Sequence, residues 1–201
     1  GFRAGLFNIG GQGQIILGAI GATYVGFTFN LPYFAHLLVA LVGAVLVAGI
    51  WGGFVGFLKA RTGANEVIVT IMLNSIAASL LVYLLSNDLF QQLGTSELKS
   101  KPIAAEARLP HILPAPFTLH AGIIVAILAT IFVWWLLERS KFGFELRAVG
   151  SNASASQTAG MSTGKVITMT MFVSAALCGL AGANQVLGTF GSLTPDVDGS
   201  I

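Results

Sequence analysis

Five long apolar segments divide this chain, and they constrain its fold more than any other feature. A helix that crosses a bilayer needs about 20 mostly apolar residues, and only 9% of the 201 residues are charged. Polar and apolar side chains do not alternate with a period of two, which disfavours a transmembrane barrel. The pattern predicts an all-α, polytopic membrane protein, a bundle of transmembrane helices. The predicted spans are residues 14–29, 33–58, 67–85, 121–137 and 166–187.

The positions of lysine and arginine predict the orientation of these spans. Cytoplasmic loops carry an excess of these residues, and two of the connections between spans hold six of them. Residues 138–165 are therefore predicted to be cytoplasmic. Residues 86–118 balance their bases with acids, are rich in proline, and are predicted to form an outer loop. The six cytoplasmic bases are Lys59, Arg61, Arg139, Lys141, Arg147 and Lys165.

Small residues recur at every fourth position along three of the spans. Lipid gives no hydrophobic drive for helices to associate, so a smooth stripe allows another backbone to approach closely. We expect the second span to be central, packed through its stripe. The stripes are Ala40, Ala44, Ala48, Gly52, Gly56 and Ala60 in the second span, Gly18, Ala22 and Gly26 in the first, and Ala175, Gly179 and Ala183 in the fifth.

The run FNIGGQGQ at residues 7–14 places three amides, Asn8, Gln12 and Gln14, at the start of the first span. Irregular backbone at membrane depth is tolerated where it lines a cavity or is buried in protein. The run predicts a broken helix near the N-terminus, whose second half begins near Gln12 and directs free N–H groups toward a polar ligand. The alternative is an ordinary surface loop capped by Asn8.

The third span begins with a second set of polar residues. Glu66, Thr70 and Asn74 are one helical turn apart and share a face. Polar side chains in hydrocarbon need partners, so this face is expected to point into the bundle or a wet pathway. Glu66 is either a capping charge favoured by the helix dipole or a translocation residue. Asn184 and Gln185 in the fifth span raise the same question. The predicted pathway residues are Asn8, Gln12, Gln14, Thr70 and Asn74.

The chain shows no pattern typical of an enzyme. AGMSTGKV at residues 159–166 lacks the first glycine and the final Ser or Thr of a phosphate loop. Cys178 is alone, and the three histidines are scattered without metal-ligand spacing. A net charge of +2 does not indicate nucleic-acid binding. We therefore expect no catalytic residues, no metal site and no cofactor.

Four sequence blocks are distinctive when they are taken together. They are residues 7–14, 65–74, 143–150 with Asn152, Ala155, Gly160 and Met161, and 179–183. The set resembles the permease subunits of bacterial ABC importers of the branched-chain amino acid, ribose and nucleoside type. FNIG-x-x-GQ and NEVI-x-T-x-MLN look most like the nucleoside branch, although Gln12 replaces its usual glutamate and Ser75 its usual aromatic.

The resemblance implies a permease that forms the pathway for a small polar solute, with a nucleoside as the first expectation. It implies a multi-pass location in the bacterial plasma (inner) membrane. The implied partners are the lipid bilayer, a second permease subunit, two ABC ATPase subunits that hydrolyse ATP, and an outer solute-binding lipoprotein. Such permeases have more spans than five. With Gly1 in place of a start methionine, we expect residues 1–201 to be one permease domain from a longer chain.

The resemblance also assigns a role to residues 138–165. A short helix over residues 146–160, with small residues along one side, would lie in a groove on the ATPase as a coupling helix. Gly150 and Gly160 would bound or hinge it. The alternative is a solvated loop. The small residues are Ala148, Ser151, Ala155 and Ala159, and the predicted coupling residues are Arg147, Gly150, Asn152, Ala155 and Gly160.

Other functions fit parts of the same pattern. An ion-coupled secondary transporter needs a carboxylate in the membrane, for which Glu66 is the one candidate in the sequence. An ABC permease for a sugar or a branched-chain amino acid is a further alternative within the same family. A structural membrane subunit would have no pathway, and its polar span residues would serve packing alone.

Overall fold

A computed structural model describes residues 1–29, 31–92, 97–110, 112 and 119–198. Most of these residues form α-helices, which confirms the all-α prediction. The helices are α1 (Gly11–Thr28), α2 (Tyr33–Thr62), α3 (Glu66–Leu85), α4 (Gly122–Arg139), α5 (Lys141–Ser151), α6 (Ala153–Thr158) and α7 (Thr163–Asn184). Shorter turns are Phe2–Ala4, Ala105–Ala107 and Pro195–Asp198, and α7 continues into a π-helical turn, Gln185–Phe190.

Within these ranges, four helices have the length and composition to cross a membrane. They are α2, α3, α4 and α7 together with its π-helical turn. α1 contains most of the first predicted span but is not among the four. Its sequence is rich in glycine and holds two glutamines, and most of its residues are buried by protein. A helix covered by its neighbours does not need a lipid-facing apolar surface.

α1, α2 and α7 form the centre of the bundle and meet through small residues. A side chain at Gly18 would overlap the backbone of Gly179, and one at Gly52 would overlap Ala175. Ala40, Ala44 and Ala48 are fully buried. Because little more than a methyl group separates these backbones, the helices gain dispersion contacts at close range. The predicted packing role of the three stripes is confirmed.

α3 and α4 lie outside this centre. α3 packs one face against α1, where Ala77, Leu81 and Leu85 are buried. α4 is more peripheral, and Gly122 is the residue of this helix that the rest of the chain buries. Its exposed side chains are mostly apolar. Such a surface suits hydrocarbon or a neighbouring apolar helix.

The predicted cytoplasmic bases collect at one end of the bundle. Lys59 pairs with Glu66 between α2 and α3, and Arg61 and Lys165 line one cleft of about 340 Å³. Parts of the predicted outer loop lie at the other end, where the Ala104 amide donates to the Gly26 carbonyl at 3.0 Å. Residues 93–96, 111 and 113–118 of that loop lie outside the described residues.

The predicted helix over residues 146–160 is wrong, because two helices occupy this stretch. α5 begins at Lys141 with Ser140 as its cap. Asn152 is extended (φ −157°, ψ 103°) and its side-chain oxygen accepts from the Ala155 amide, so it ends α5 and caps α6. α6 ends at a left-handed Gly160 (φ +84°), where the Met161 amide donates to the Ser156 carbonyl. This is a Schellman turn.

Candidate functional site

Residues 5–10 form a non-helical segment that leads into α1. Gly5 lies in the left-handed region (φ +66°), which glycine adopts without steric cost. α1 begins at Gly11, and its N-cap, Gly10, offers no side chain. The first N–H groups of α1 therefore need partners from elsewhere in the protein. α1 starts close to the predicted Gln12, while the broken helix itself stays a prediction.

Asn8 and Gln14 form a reciprocal pair of amides at the start of α1. The Asn8 Nδ2 donates to Gln14 Oε1 at 2.8 Å, and the Gln14 Nε2 donates to Asn8 Oδ1 at 2.9 Å. Asn8 also donates to Ser174 Oγ at 2.9 Å and accepts from the Gly10 amide at 3.1 Å. Gln14 is 1% exposed. Asn8 thus ties the segment before α1 to both α1 and α7.

Asn74 connects the same region to α3. Its Oδ1 accepts from the Gly13 amide at 3.0 Å, and its Nδ2 donates to the Ile9 carbonyl at 3.1 Å. One of the free N–H groups of α1 is therefore capped by a side chain from another helix. A Cβ at Gly13 would lie 2.8 Å from Asn74 Oδ1, so only glycine allows this approach.

The other two predicted pathway residues have different surroundings. Thr70 is buried, and its hydroxyl donates to the Glu66 carbonyl of its own helix at 2.7 Å. Its Cβ lies 3.1 Å from where a Cβ on Gly10 would stand. Thr70 therefore packs beneath the turn before α1. Gln12 is exposed in the first turn of α1.

We call Asn8, Gln14, Asn74 and Ser174 the amide cluster. Asn8 bonds Gln14 and the Ser174 hydroxyl, and Asn74 bonds the backbone of α1. These hydrogen bonds lower the free-energy cost of placing the amides in an apolar bundle. Asn8 and Asn74 are half-buried at its edge. Each can exchange a protein partner for a polar ligand group of the same hydrogen-bonding type. The cluster has the chemistry of a polar recognition site inside a membrane.

Ser174 was not among the predicted pathway residues. It lies four residues after Thr170 on α7, so two hydroxyls one turn apart marked this face in the sequence. A second missed feature is the surface of α3, where Ser75, Ser79 and Tyr83 are exposed at a spacing of four residues. These three hydroxyl residues form a second polar stripe on α3, apart from the face that carries Glu66, Thr70 and Asn74.

Glu66 is held by neighbouring groups. Its carboxylate pairs with Lys59, and its Oε1 accepts from the Phe7 amide at 3.4 Å. It is the first residue of α3 and is 7% exposed. A carboxylate at a helix N-terminus is stabilised by the dipole. This arrangement matches the structural reading of Glu66 rather than a translocation role.

Asn184 faces α4 instead of the amide cluster. Its amide oxygen is buried and has no hydrogen-bond partner among the described residues. Gly122 of α4 lies against it so closely that a Cβ would overlap the amide. Asn184 and Thr130 are the polar residues of a mainly apolar cavity of about 400 Å³ between α4 and α7.

The predicted coupling residues lie on two short helices. Arg147 on α5 donates to the Leu137 carbonyl at 2.5 Å and lies 3.5 Å from Glu138 Oε2, so it fixes α5 to the end of α4. Asn152 separates the helices, and Gly160 ends α6. Ala155 is exposed, as is nearly all of α6 except Ser156. The small residues of α6 therefore form an accessible surface.

Gly150 has a separate contact within the chain. A Cβ at this position would overlap the Arg3 carbonyl oxygen, and Ala4 Cα would lie 2.9 Å away. The backbone of α5 therefore touches the turn Phe2–Ala4 directly. Gly150 is not the hinge between the two helices, because the chain bends at Asn152.

A cleft of about 460 Å³ opens between α5 and the start of α7. Lys141 and Glu145 lie on its α5 side, with side-chain charges 3.8 Å apart. Gly160 and Lys165 line its other side. The cleft has both charged and apolar walls, as a binding groove for a protein segment requires.

The profile of a transporter family matches almost the whole chain. The family is described as "Branched-chain amino acid transport system / permease component", and the match covers residues 2–198. The chain belongs to this permease family. Its members are integral membrane proteins, so the apolar helices of this permease form a multi-pass membrane domain.

Curated relatives of this permease include two proteins named for nucleosides. It is 46% identical over 192 residues to the guanosine ABC transporter permease protein NupP of Bacillus subtilis. This alignment covers 94% of the chain and 54% of NupP. It is 34% identical over 192 residues to the nucleoside ABC transporter permease protein NupB of Lactococcus lactis, covering 90% of the chain and 51% of NupB.

A third relative is named for a sugar. The permease is 32% identical over 199 residues to the glucose ABC transporter permease protein TsgB13 of Haloferax volcanii, covering 94% of the chain and 52% of TsgB13. The chain spans about half the length of the curated relatives it matches. No solved structure matches it.

Proposed function

We propose that this chain belongs to a permease subunit of an ATP-driven importer, and that its cargo is a nucleoside. One observation carries the proposal: an amide cluster lies inside an apolar helical bundle whose sequence is 46% identical to a guanosine permease over 94% of the chain. Buried amides are costly in a membrane unless they are bonded, and polar side chains within spans often line substrate pathways.

The chemistry of the cluster suits a nucleoside. A nucleobase edge and a ribose each present donors and acceptors, which amides match in either direction. Asn8 and Asn74 are the members that can exchange partners, because both are half-buried. Phe7, next to Asn8, is 52% exposed and offers an aromatic face for a base. The hydroxyl stripe of α3 offers further partners along the bundle.

In this proposal, the lysine and arginine side chains at one end of the bundle lie on the cytoplasmic side of the plasma (inner) membrane. There, α5 and α6 would dock on an ATPase subunit, which hydrolyses ATP outside this chain. A second permease subunit completes the pathway, and an outer lipoprotein delivers the nucleoside. The exposed small residues of α6 support this assignment, since they let a helix lie close to a partner's groove.

The ion-coupled rival has less support from the site. Its one candidate carboxylate, Glu66, is already paired with Lys59 at the end of the bundle that carries the bases. A sugar permease is the better second candidate, because TsgB13 is 32% identical and named for glucose. The hydroxyl groups of ribose and of glucose would bond the same amides. The two substrates differ because only a nucleoside needs an additional surface that binds its nucleobase.

Uptake by the full-length permease, reconstituted with its ATPase, second permease and binding protein, tests the proposal. We expect uptake of labelled guanosine that vanadate abolishes and an uncoupler leaves intact. Excess glucose should not compete. Uncoupler-sensitive, vanadate-resistant uptake would show an ion-coupled transporter, and competition by glucose without guanosine uptake would show a sugar permease.

The assignment of Asn8 and Asn74 to the pathway is tested by comparing alanine variants with a control variant. Asn8→Ala and Asn74→Ala are expected to reduce guanosine uptake and the guanosine-stimulated ATPase activity. Thr130→Ala is the matched control, because this exposed hydroxyl on α4 donates to its own helix at the Ala126 carbonyl. If both asparagine variants kept wild-type uptake and stimulation, the assignment of the amide cluster to the pathway would fail.

A further inference from the structure

A short segment connects the coupling helix α5 to the amide cluster. We call residues 3–8 the strap. One end of the strap touches Gly150, and the other end is Asn8 itself. We propose that the strap transmits the movement of α5 to the amide cluster, with Gly150 and Leu6 as its positioning residues. This inference rests on the proposed function, in which α5 and α6 dock on an ATPase.

The contact at the α5 end is made by backbone. The Arg3 carbonyl and the Ala4 Cα lie against Gly150 with no side chain between them. A flexible side chain would absorb a small displacement, whereas two backbones in contact cannot. Arg3 also pairs with Glu138 at 2.5 Å, and Arg147 reaches the same carboxylate at 3.5 Å. The strap, α4 and α5 therefore converge at one point.

The middle of the strap is packed into an apolar cluster. Ala4 is 7% exposed and Leu6 is 2% exposed. They pack with Leu146 and Val149 from the buried face of α5. Between them, Gly5 makes a left-handed turn that redirects the chain. Because Leu6 lies in the same cluster as the inner face of α5, movement of α5 displaces the strap unless this cluster comes apart.

The far end of the strap is bonded to the site. The Phe7 amide donates to Glu66 at 3.4 Å, and Asn8 bonds Gln14 and Ser174. Six residues span at most about 20 Å, so the connection is short and has few free torsions. A contiguous chain of packed and bonded groups of this kind can carry energetic coupling between two sites.

A second route runs from α5 to α7 through Val166 and Met171. α7 is locked to α1 by the contact between Gly18 and Gly179, so moving it would break the centre of the bundle. The strap is held by fewer contacts and ends on the amides that would have to exchange partners. Displacement of the strap therefore needs less free energy than displacement of α7.

Gly150→Ala in the full-length, reconstituted complex tests the strap. Alanine favours a helix more than glycine does, so α5 should fold, while the added methyl group pushes the Arg3 carbonyl away. We expect nucleoside uptake per ATP hydrolysed to fall at least fivefold, with a larger loss for Gly150→Val. The ATPase should still copurify in full amount. Gly164→Ala is the matched control, because its Cβ would meet Ala60 at an ordinary 3.4 Å.

A second pair of variants tests the apolar contacts of Leu6 in the middle of the strap. Leu6→Ala should lower uptake per ATP in the same way, and Leu6→Met, which refills the space, should restore it. Wild-type uptake per ATP in Gly150→Ala, Gly150→Val and Leu6→Ala would overturn the proposal. Loss of ATPase copurification in step with uptake would also overturn it, because the defect would then lie in docking. Failure of the proposed function would be visible already in the wild-type complex, as an absence of vanadate-sensitive nucleoside uptake.

Discussion

Replacing Asn8 by alanine removes the member of the amide cluster that bonds both Gln14 and Ser174. The Asn8 amide takes part in four hydrogen bonds of 2.8 to 3.1 Å, to Gln14 twice, to Ser174 and to the Gly10 amide. Gln14 is 1% exposed, so water cannot replace the lost partner. The variant therefore leaves both ends of the Gln14 amide unpaired inside the bundle.

The loss in the free energy of unfolding can be worked out from these contacts. Side-chain hydrogen bonds in membrane proteins contribute about 0.6 kcal/mol each, and the same value applied to the four bonds of Asn8 gives about 2.4 kcal/mol. A buried polar group left without a partner costs about 1–3 kcal/mol, which overlaps in part with the lost bonds. We expect Asn8→Ala to lower the free energy of unfolding by about 3 kcal/mol, and to lower Tm by on the order of 10 °C.

A double-mutant cycle with Gln14→Leu isolates the cause. Leucine has no polar group to leave unpaired, so Asn8→Ala should cost only about 1 kcal/mol in the Gln14→Leu background. The assay is equilibrium unfolding of the full-length permease in detergent micelles. A cost for Asn8→Ala below about 0.5 kcal/mol, or an equal cost in both backgrounds, would refute the reasoning that the two amides depend on each other.

Three further substitutions test other contacts. Ala155→Glu on the exposed face of α6 should reduce coupled uptake at least tenfold without changing Tm, and normal coupled uptake would contradict docking at this surface. Lys59→Met leaves the Glu66 carboxylate buried without its partner and should cost about 3 kcal/mol in the free energy of unfolding. Adding Glu66→Gln should recover most of this loss, and no recovery would mean that Lys59 acts by packing. Gly18→Leu would overlap the backbone of Gly179, so the yield of folded protein should collapse, whereas Gly164→Ala should fold normally.

The helices were predictable because their signals are local. Small residues every fourth position in α2 identified the central helix, since this spacing puts them on one face whatever the helix contacts. The break at Asn152 was missed for the opposite reason. Ala148, Ser151 and Ala155 have helical spacing, and nothing in that spacing shows that the asparagine between them turns its side chain to the Ala155 amide.

The residues of the site were predictable in kind but not in pairing. Amides at the start of an apolar span indicated Asn8 and Gln14, and a shared helix face indicated Thr70 and Asn74. Their partners depend on which helices meet. Ser174 contacts Asn8 across 166 positions of sequence, a separation at which no local pattern acts. The strap was not predicted at all, because its apolar residues resemble any turn until α5 folds over them.

The close backbone contacts of the bundle have two different consequences. Gly18 and Gly179 join two long helices over many turns, so a methyl group there changes stability and transport together. Gly150 joins α5 to a segment of six residues, so a methyl group there changes the position of Asn8 without opening the centre. In the proposed mechanism, the centre stays packed while the strap moves, so that docking of an ATPase would alter the amide cluster without opening the spans. The ratio of lost coupling to lost stability should therefore be high for Gly150→Ala and low for a substitution at Gly18.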